Sequence, residues 1–197
     1  MKVPYFDLKR QYKHIKPQLE SRVIKTLRST QYSLGKEVEV FEDNFSSFLD
    51  AKYCTGVNTG TSALHLALLA LGIGQGDEVI TVSMTFIATV MSISYTGATP
   101  VFVDIDNKTQ LINCKHIIDK ISSKTKAIVV VHLYGQCAEM KQINKIAKKH
   151  NLSVIEDSSQ AHGAKYHNRY AGTMSDIGTF SFFPGKNLGA IGEGGAI

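Results

Sequence analysis

The chain has 197 residues, with 22 Lys+Arg against 17 Asp+Glu for a formal net charge of +5, and is 43% hydrophobic and 20% charged. This composition excludes a disordered polymer, and no apolar run approaches the ~20 residues that span a bilayer. Met1-Lys2-Val3-Pro4-Tyr5-Phe6-Asp7 lacks the apolar core of a signal peptide. Cys54, Cys114 and Cys137 are scattered without a C-x-x-C pair, which argues against a disulfide framework and a zinc centre. The expectation is a reduced, cytoplasmic chain with one large domain. The densest basic cluster, in MKQINKIAKKH, sits on an expected helix without interleaved aromatics, so it reads as a solvated face and not a nucleic-acid platform.

The first fifty residues read as helical. Apolar positions Ile15, Leu19, Val23 and Leu27 mark a helix over 12–27, and Val40, Phe41, Phe45 and Phe48 mark another over 38–49, with a loop at 31–35. From residue 53 short apolar runs recur at the pitch of βα units. They predict strands at 53–57, 78–82, 100–103, 127–131, 152–156, 177–182 and 195–197. Helices are expected at 61–71, 86–95, 114–121 and 140–150. The fold class expected is α/β, a three-layer α/β/α arrangement around a mostly parallel seven-stranded sheet. Ligands of such sheets bind at the carboxyl ends of the strands, so the residues just past each strand matter most.

After the first strand, Asn58-Thr59-Gly60-Thr61-Ser62 leads into the apolar helix LHLALLAL. Free N–H groups and hydroxyls at a helix start suit a phosphate, and equally an ordinary N-cap. Gly72-Ile73-Gly74-Gln75-Gly76-Asp77 follows a helix and precedes a strand, the reverse of a dinucleotide fingerprint, so it is a turn. Phe86, past the second strand, is placed to stack on a flat ring or to join the core. VIEDSSQAHG puts Glu156 and Asp157 at the fifth strand's end with Gln160 and His162 following, and alternation sends the two acids to opposite faces. His162 and His167 lack i,i+4 spacing, which makes metal the weaker reading. In FSFFPGKNLGAIGEGGAI, Lys186 stands among Gly, Pro and Phe. An amine partly withdrawn from water loses basicity and becomes a nucleophile toward carbonyls. Phosphate cup, aromatic, acid and lysine together are the parts that pyridoxal 5'-phosphate (PLP) needs.

At these residues the chain resembles the DegT-type (StrS-like) nucleotide-sugar aminotransferases, of the aspartate-aminotransferase fold group. FDLKRQY, YSLGKEVEVFE, NTGTSALHLAL, TFIATV, GATPVFVDID, LYGQCA, VIEDSSQAHGA and GTFSFFPGKNLGAIGEGGA stand in family order over essentially the whole chain. The resemblance implies that Lys186 is the Schiff-base lysine and that Asp157 pairs with the pyridine nitrogen. It implies further that Gln160 bonds the ring hydroxyl, Phe86 stacks on the ring, and Gly60, Thr61, Ser181 and, less firmly, Ser62 hold the phosphate. Relatives with His in place of Lys186 deoxygenate sugars, so Lys186 implies amino transfer. The substrates implied are an amino-acid donor, L-glutamate, and a nucleotide-linked keto sugar, with the SFFPGKNLG wording leaning toward a 3-keto group.

Three alternatives stand beside this reading: another PLP reaction on the same fold, a catalytically silent regulatory or interaction protein, and a plain nucleotide-binding α/β domain. The expected organisation is a helical segment over 1–50 and a PLP-binding large domain over 51–197. That domain is expected to be truncated in its last, antiparallel strand, because family members continue for roughly as long again and work as homodimers. A fragment of this kind is expected to be poorly soluble, to bind PLP weakly and to be inactive alone.

Overall fold

The structure, a computed structural model, describes residues 3–4 and 7–197; Met1, Lys2, Tyr5 and Phe6, part of the expected 1–50 segment and of FDLKRQY, lie outside them. Two helices come first, α1 (Leu8–Ser29) and α2 (Lys36–Leu49). Asp7 caps α1 by accepting from the Arg10 N–H at 3.0 Å, which starts the helix ahead of its first regularly spaced apolar residues. No described side chain of α1 is buried, whereas α2 buries Phe45 and Leu49.

The βα rhythm then runs β1 (Gly56–Val57), α3 (Gly60–Ala70), β2 (Glu78–Val82), α4 (Ile87–Tyr95), β3 (Thr99–Val103), α5 (Cys114–Lys120), β4 (Thr125–Val131), α6 (Met140–His150) and β5 (Ser153–Asp157). After a small hairpin, β6 (Lys165–Tyr166) and β7 (Arg169–Tyr170), come β8 (Ile177–Ser181) and β9 (Gly195–Ala196). Seven strands form one sheet in the order β1-β9-β8-β5-β4-β2-β3. β8, β5, β4, β2 and β3 pair in parallel, while β9 runs antiparallel to both its neighbours. This is the expected architecture, including the reversed last strand.

The two-residue period of the strands divides the core. Val79, Ala127, Val129 and Ile155 meet Leu64, Ala67, Leu68 and Ile93 of α3 and α4 on one face. Ile80, Val82, Ile128, Val130 and Val154 meet Ile117, Met140, Ile143 and Ala147 of α5 and α6 on the other. α2 closes a third cluster, with Phe41 and Phe45 packed against Phe180 and Phe182 at ring-centroid distances of 5.0–5.3 Å.

Where boundaries move, local backbone chemistry moves them. The strand expected from 152 starts at Ser153, because Asn151 ends α6 in the left-handed conformation (φ 53°) and the Leu152 N–H returns to the Ala147 carbonyl at 2.9 Å. The strand expected over 53–57 is paired in β1 only at Gly56–Val57, extended by reciprocal bonds between Thr55 and Ile197, and Tyr53 is exposed. Phe86 caps α4 in an extended conformation and does not form its first turn. Pro100 is accommodated because β3 is an edge strand. The β6–β7 hairpin was not expected: His167 and Asn168 both have positive φ (46° and 66°), a type I′ turn formed without the usual glycine.

Gly60 fixes the geometry that matters most. A Cβ there would lie 2.5 Å from the Ser181 Cβ, so the start of α3 sits directly against the end of β8. We expect Gly60→Ala to force these elements apart and to destabilise the fold by roughly 1–3 kcal/mol, the usual cost of overpacking. A lowered urea midpoint at unchanged slope checks this.

Candidate active site

At the carboxyl edge of the sheet a cavity of about 550 Å³ opens between α3, α4, β5 and the β8–β9 loop. Gly60, Thr61, Phe86, Asp157, Gln160, Ser181 and Lys186 all line it. Ser62 does not. Its N–H goes to the capping Thr59 Oγ1 at 2.9 Å and its hydroxyl accepts from the same Thr59 at 3.0 Å, so it serves the helix cap.

One end of the cavity is a cluster of donors. The Ala63 N–H bonds the Thr59 carbonyl, which leaves the Gly60 and Thr61 N–H groups as the unpaired start of α3. Among the described residues neither makes a hydrogen bond. Ser181 accepts from the Phe183 N–H at 3.3 Å and keeps its own proton for a ligand. Two N–H groups, two hydroxyls and the positive end of a helix converge there, an arrangement suited to a phosphate.

The acids separate as strand alternation requires. Asp157 shares the parity of Ile155, faces α4, and is 5% exposed. One carboxylate oxygen accepts from the Thr89 hydroxyl at 2.8 Å and the other from the Ser159 N–H at 3.2 Å. Glu156, fully buried, faces the opposite way. It accepts from the N–H groups of Gly172 (2.8 Å) and Met174 (2.7 Å), from the Ser175 hydroxyl (2.9 Å), and from His132 Nε2 (2.8 Å). His132 Nδ1 accepts from the Ala138 N–H at 3.1 Å, which leaves Nε2 to donate to Glu156. Burial works to raise the Glu156 carboxyl, but the donors around it outweigh burial and hold it below the ordinary glutamate value.

Lys186 lies in the tight β8–β9 loop, its N–H bonded to the Phe183 carbonyl at 2.8 Å. Burial pulls its amine below the ordinary lysine value, against the opposing pull of Asp157. Beside it His162 is tilted against Phe180 and Phe182 and bonded through Nδ1 to Asn187 Oδ1 at 3.3 Å. Burial holds His162 below the ordinary histidine value. Gln160 accepts through Oε1 from the Tyr134 N–H at 3.0 Å, so its NH₂ is left to donate. Tyr134 holds that N–H in a left-handed conformation (φ 55°).

Sequence reasoning passed over Thr85, Thr89, His132, Tyr134 and Glu193. Thr85, His132 and Glu193 line the cavity, and the other two reach it through Asp157 and Gln160. Thr89 lies one turn after Phe86 on a helix that also carries Ser92 and Ser94, so no local pattern singled it out. Tyr134 carried no signal either, since its contribution is made by the backbone.

Residues 13–197 match the DegT/DnrJ/EryC1/StrS aminotransferase family. Among curated proteins, the chain is 47% identical to a "Pleiotropic regulatory protein" of Geobacillus stearothermophilus, covering 100% of this chain and 53% of that one. It is 50% identical to the dTDP-3-amino-3,6-dideoxy-alpha-D-galactopyranose transaminase of Aneurinibacillus thermoaerophilus, covering 99% and 54%. Among solved structures, DesV of S. venezuelae in complex with a ketimine intermediate superimposes with a TM-score of 0.97 at 42% identity, over 99% of this chain and 53% of that one. NtdA of Bacillus subtilis with bound cofactor PMP gives 0.90 at 36%, over 99% and 44%. The chain thus spans about half the length of the relatives it matches.

The buried Glu156 cluster predicts an acid-side stability loss. Because the folded carboxyl is held below its unfolded value (about 4.3), its contribution is complete above that value and is lost as pH falls through the lower, folded one. We expect Glu156→Gln to cost about 3 kcal/mol at neutral pH, since an amide cannot accept from all four donors. The variant also lacks this acid-side dependence, as urea unfolding of both proteins between about pH 7 and pH 3 will show.

Proposed function

The chain belongs to the DegT/DnrJ/EryC1/StrS aminotransferase family, and from that premise we propose that it forms the cofactor-binding part of a PLP-dependent enzyme that moves an amino group from L-glutamate to the keto group of a nucleotide-linked sugar. One observation carries the reading: the unpaired start of α3, the Asp157 carboxylate and the Lys186 amine line the same cavity. That donor set fits a cofactor with a phosphate, a basic ring nitrogen and a carbonyl. When bound, PLP supplies the carbonyl that takes up the amine and a protonated ring that withdraws electrons from the reacting carbon.

The chain's own residues divide the remaining work. The Gly60 and Thr61 N–H groups and the Thr61 and Ser181 hydroxyls hold the phosphate. Phe86 covers one ring face, and the Gln160 NH₂ donates to the ring hydroxyl. Asp157, on the face of β5 that looks into the cavity, holds a proton on the ring nitrogen. Lys186, its amine made less basic by burial, would be the group that holds the cofactor through its carbonyl, with loss of water. Lys186 Nζ would act as the base at the donor's α carbon and as the acid at the sugar carbon. A single amine that can act as base and as acid serves both half-reactions, which run the same chemistry in opposite directions.

Within this reading residues 51–197 are the cofactor domain and 1–50 a helical segment, and the protein is a cytoplasmic homodimer. The transaminase relative supports a sugar substrate. Exposed Phe86, Ile87 and Phe183 near the cavity form apolar surface of the kind a partner subunit covers. The name of the Geobacillus relative favours a second reading, a regulatory protein that retains the pocket.

Labelled L-glutamate and a panel of nucleotide-linked 3-keto and 4-keto sugars, incubated with the full-length protein, separate the two readings. We expect label transfer to one sugar, and none if the protein is regulatory alone. Lys186→Ala should reduce turnover by at least ~10²–10⁴-fold, and unchanged turnover would overturn its assignment. Asp157→Asn should keep some cofactor and lose most activity; near-normal rates would remove Asp157 from the ring nitrogen.

A further inference from the structure

Asp157 is held by a hydroxyl pair whose hydrogen bonds can run in one direction only. Thr89, 1% exposed, has a single hydroxyl proton, and it is spent on Asp157 Oδ2 at 2.8 Å. In the 2.9 Å contact between Thr85 and Thr89, Thr85 is therefore the donor and Thr89 the acceptor. The other carboxylate oxygen takes the Ser159 N–H. Each oxygen is thus pinned once on the protein side. A carboxylate accepts about four hydrogen bonds, so its remaining lone pairs are left for the cavity. Thr89 also sits one turn into α4, its N–H bonded to the Phe86 carbonyl at 3.1 Å. The cap and first turn of α4 thereby carry, respectively, the aromatic side chain lining the cavity and the anchor of the acid.

We propose that Thr89 is a positioning residue for Asp157, and that the ordered chain Thr85 to Thr89 to Asp157 sets the carboxylate plane against the ring nitrogen of the bound cofactor. The inference rests on the PLP reading of the cavity. A hydroxyl donated to a carboxylate is a charge-assisted bond, roughly twice as strong as a neutral one. It also stops the carboxylate from turning away from its ligand. If Thr89 merely filled buried space, a side chain of equal shape would replace it without effect on the ligand.

Three variants of the full-length protein test this: Thr89→Val, which keeps the shape and loses the hydroxyl, Thr89→Ser, which keeps the hydroxyl, and Thr85→Val, which removes the upstream donor. The readouts are the PLP dissociation constant, measured by titrating cofactor-free protein, and the ¹⁵N resonance of the bound ring nitrogen, with thermal unfolding of the cofactor-free protein as the folding control. Thr89→Val should weaken PLP binding about tenfold or more and move the resonance toward the unprotonated form. Thr89→Ser should restore both, and Thr85→Val should weaken binding by a smaller factor, about twofold to tenfold. Wild-type affinity and resonance in a folded Thr89→Val protein would overturn the proposal, as would failure of Thr89→Ser to restore them. If Thr89→Val does not fold, Thr85→Val decides: an unchanged affinity and resonance there overturns the chain of bonds. Absence of PLP binding by the wild-type protein overturns the cofactor reading and this inference with it. PLP binding with no response to the variants overturns this inference alone.

Discussion

The two-residue period at the end of β5 governs the chemistry of the cavity. Two carboxylates stand next to each other in sequence, both nearly or wholly buried, and a strand cannot send both to one side. Each therefore meets a different solution to the cost of burying charge. Glu156 is surrounded by four donors from His132, Gly172, Met174 and Ser175, and has no capacity left for a ligand. Asp157 has two donors on the protein side, and its unused lone pairs are its capacity for chemistry. A register slip of one residue would exchange these environments. The pairing of β5 with β4 and β8 prevents that slip.

The opposite wall depends on how closely backbones approach each other. Gly60 brings the start of α3 against Ser181, and Gly195 brings β9 against Thr59, where a Cβ would lie 2.4 Å from the Thr59 carbonyl. Side chains at either position would push the helix start away from the strand that carries Ser181. The aromatic cluster of Phe41, Phe45, Phe180 and Phe182 anchors the back of β8, which keeps Ser181 pointed toward α3. The loop carrying Lys186 is closed by Phe182 at its base, donating to Gly194 at 2.8 Å and accepting from Ala190 at 2.7 Å. Apolar packing on one face thus fixes polar donors on the other.

The seven strands were legible from the apolar runs and the reversed last strand from the resemblance, whereas the strand order came only with the structure. The alternation rule alone sends one of the two acids toward the cavity. The resemblance singled out Asp157, and the faces taken by Val154 and Ile155 give the physical reason. A hydroxyl at a helix start serves a ligand or a cap equally well in sequence, and the Thr59 contacts show that Ser62 serves the cap. The turn at His167-Asn168 and the contribution of Tyr134 were not legible, because both depend on backbone conformations that those side chains do not announce. Thr89 was unread for a different reason: its partner lies 68 residues away, a separation that no local pattern encodes.

The remaining tension in the cavity is between Lys186 and Asp157. A carboxylate that holds a proton on a ring nitrogen must remain charged, and that charge makes a nearby lysine more basic. A more basic lysine is protonated more of the time and is a poorer nucleophile. Burial resolves the conflict in favour of the lower value for Lys186, because desolvation outweighs the attraction of Asp157. The Asp157 carboxylate, in turn, accepts from the Thr89 hydroxyl and the Ser159 N–H. A cavity half withdrawn from water can hold a charged acid and a weakened base together only when the acid brings its own donors and the base does not. The hydrogen bonds around Asp157, with no protein carboxylate bonded to Lys186 among the described residues, are the arrangement that satisfies both requirements.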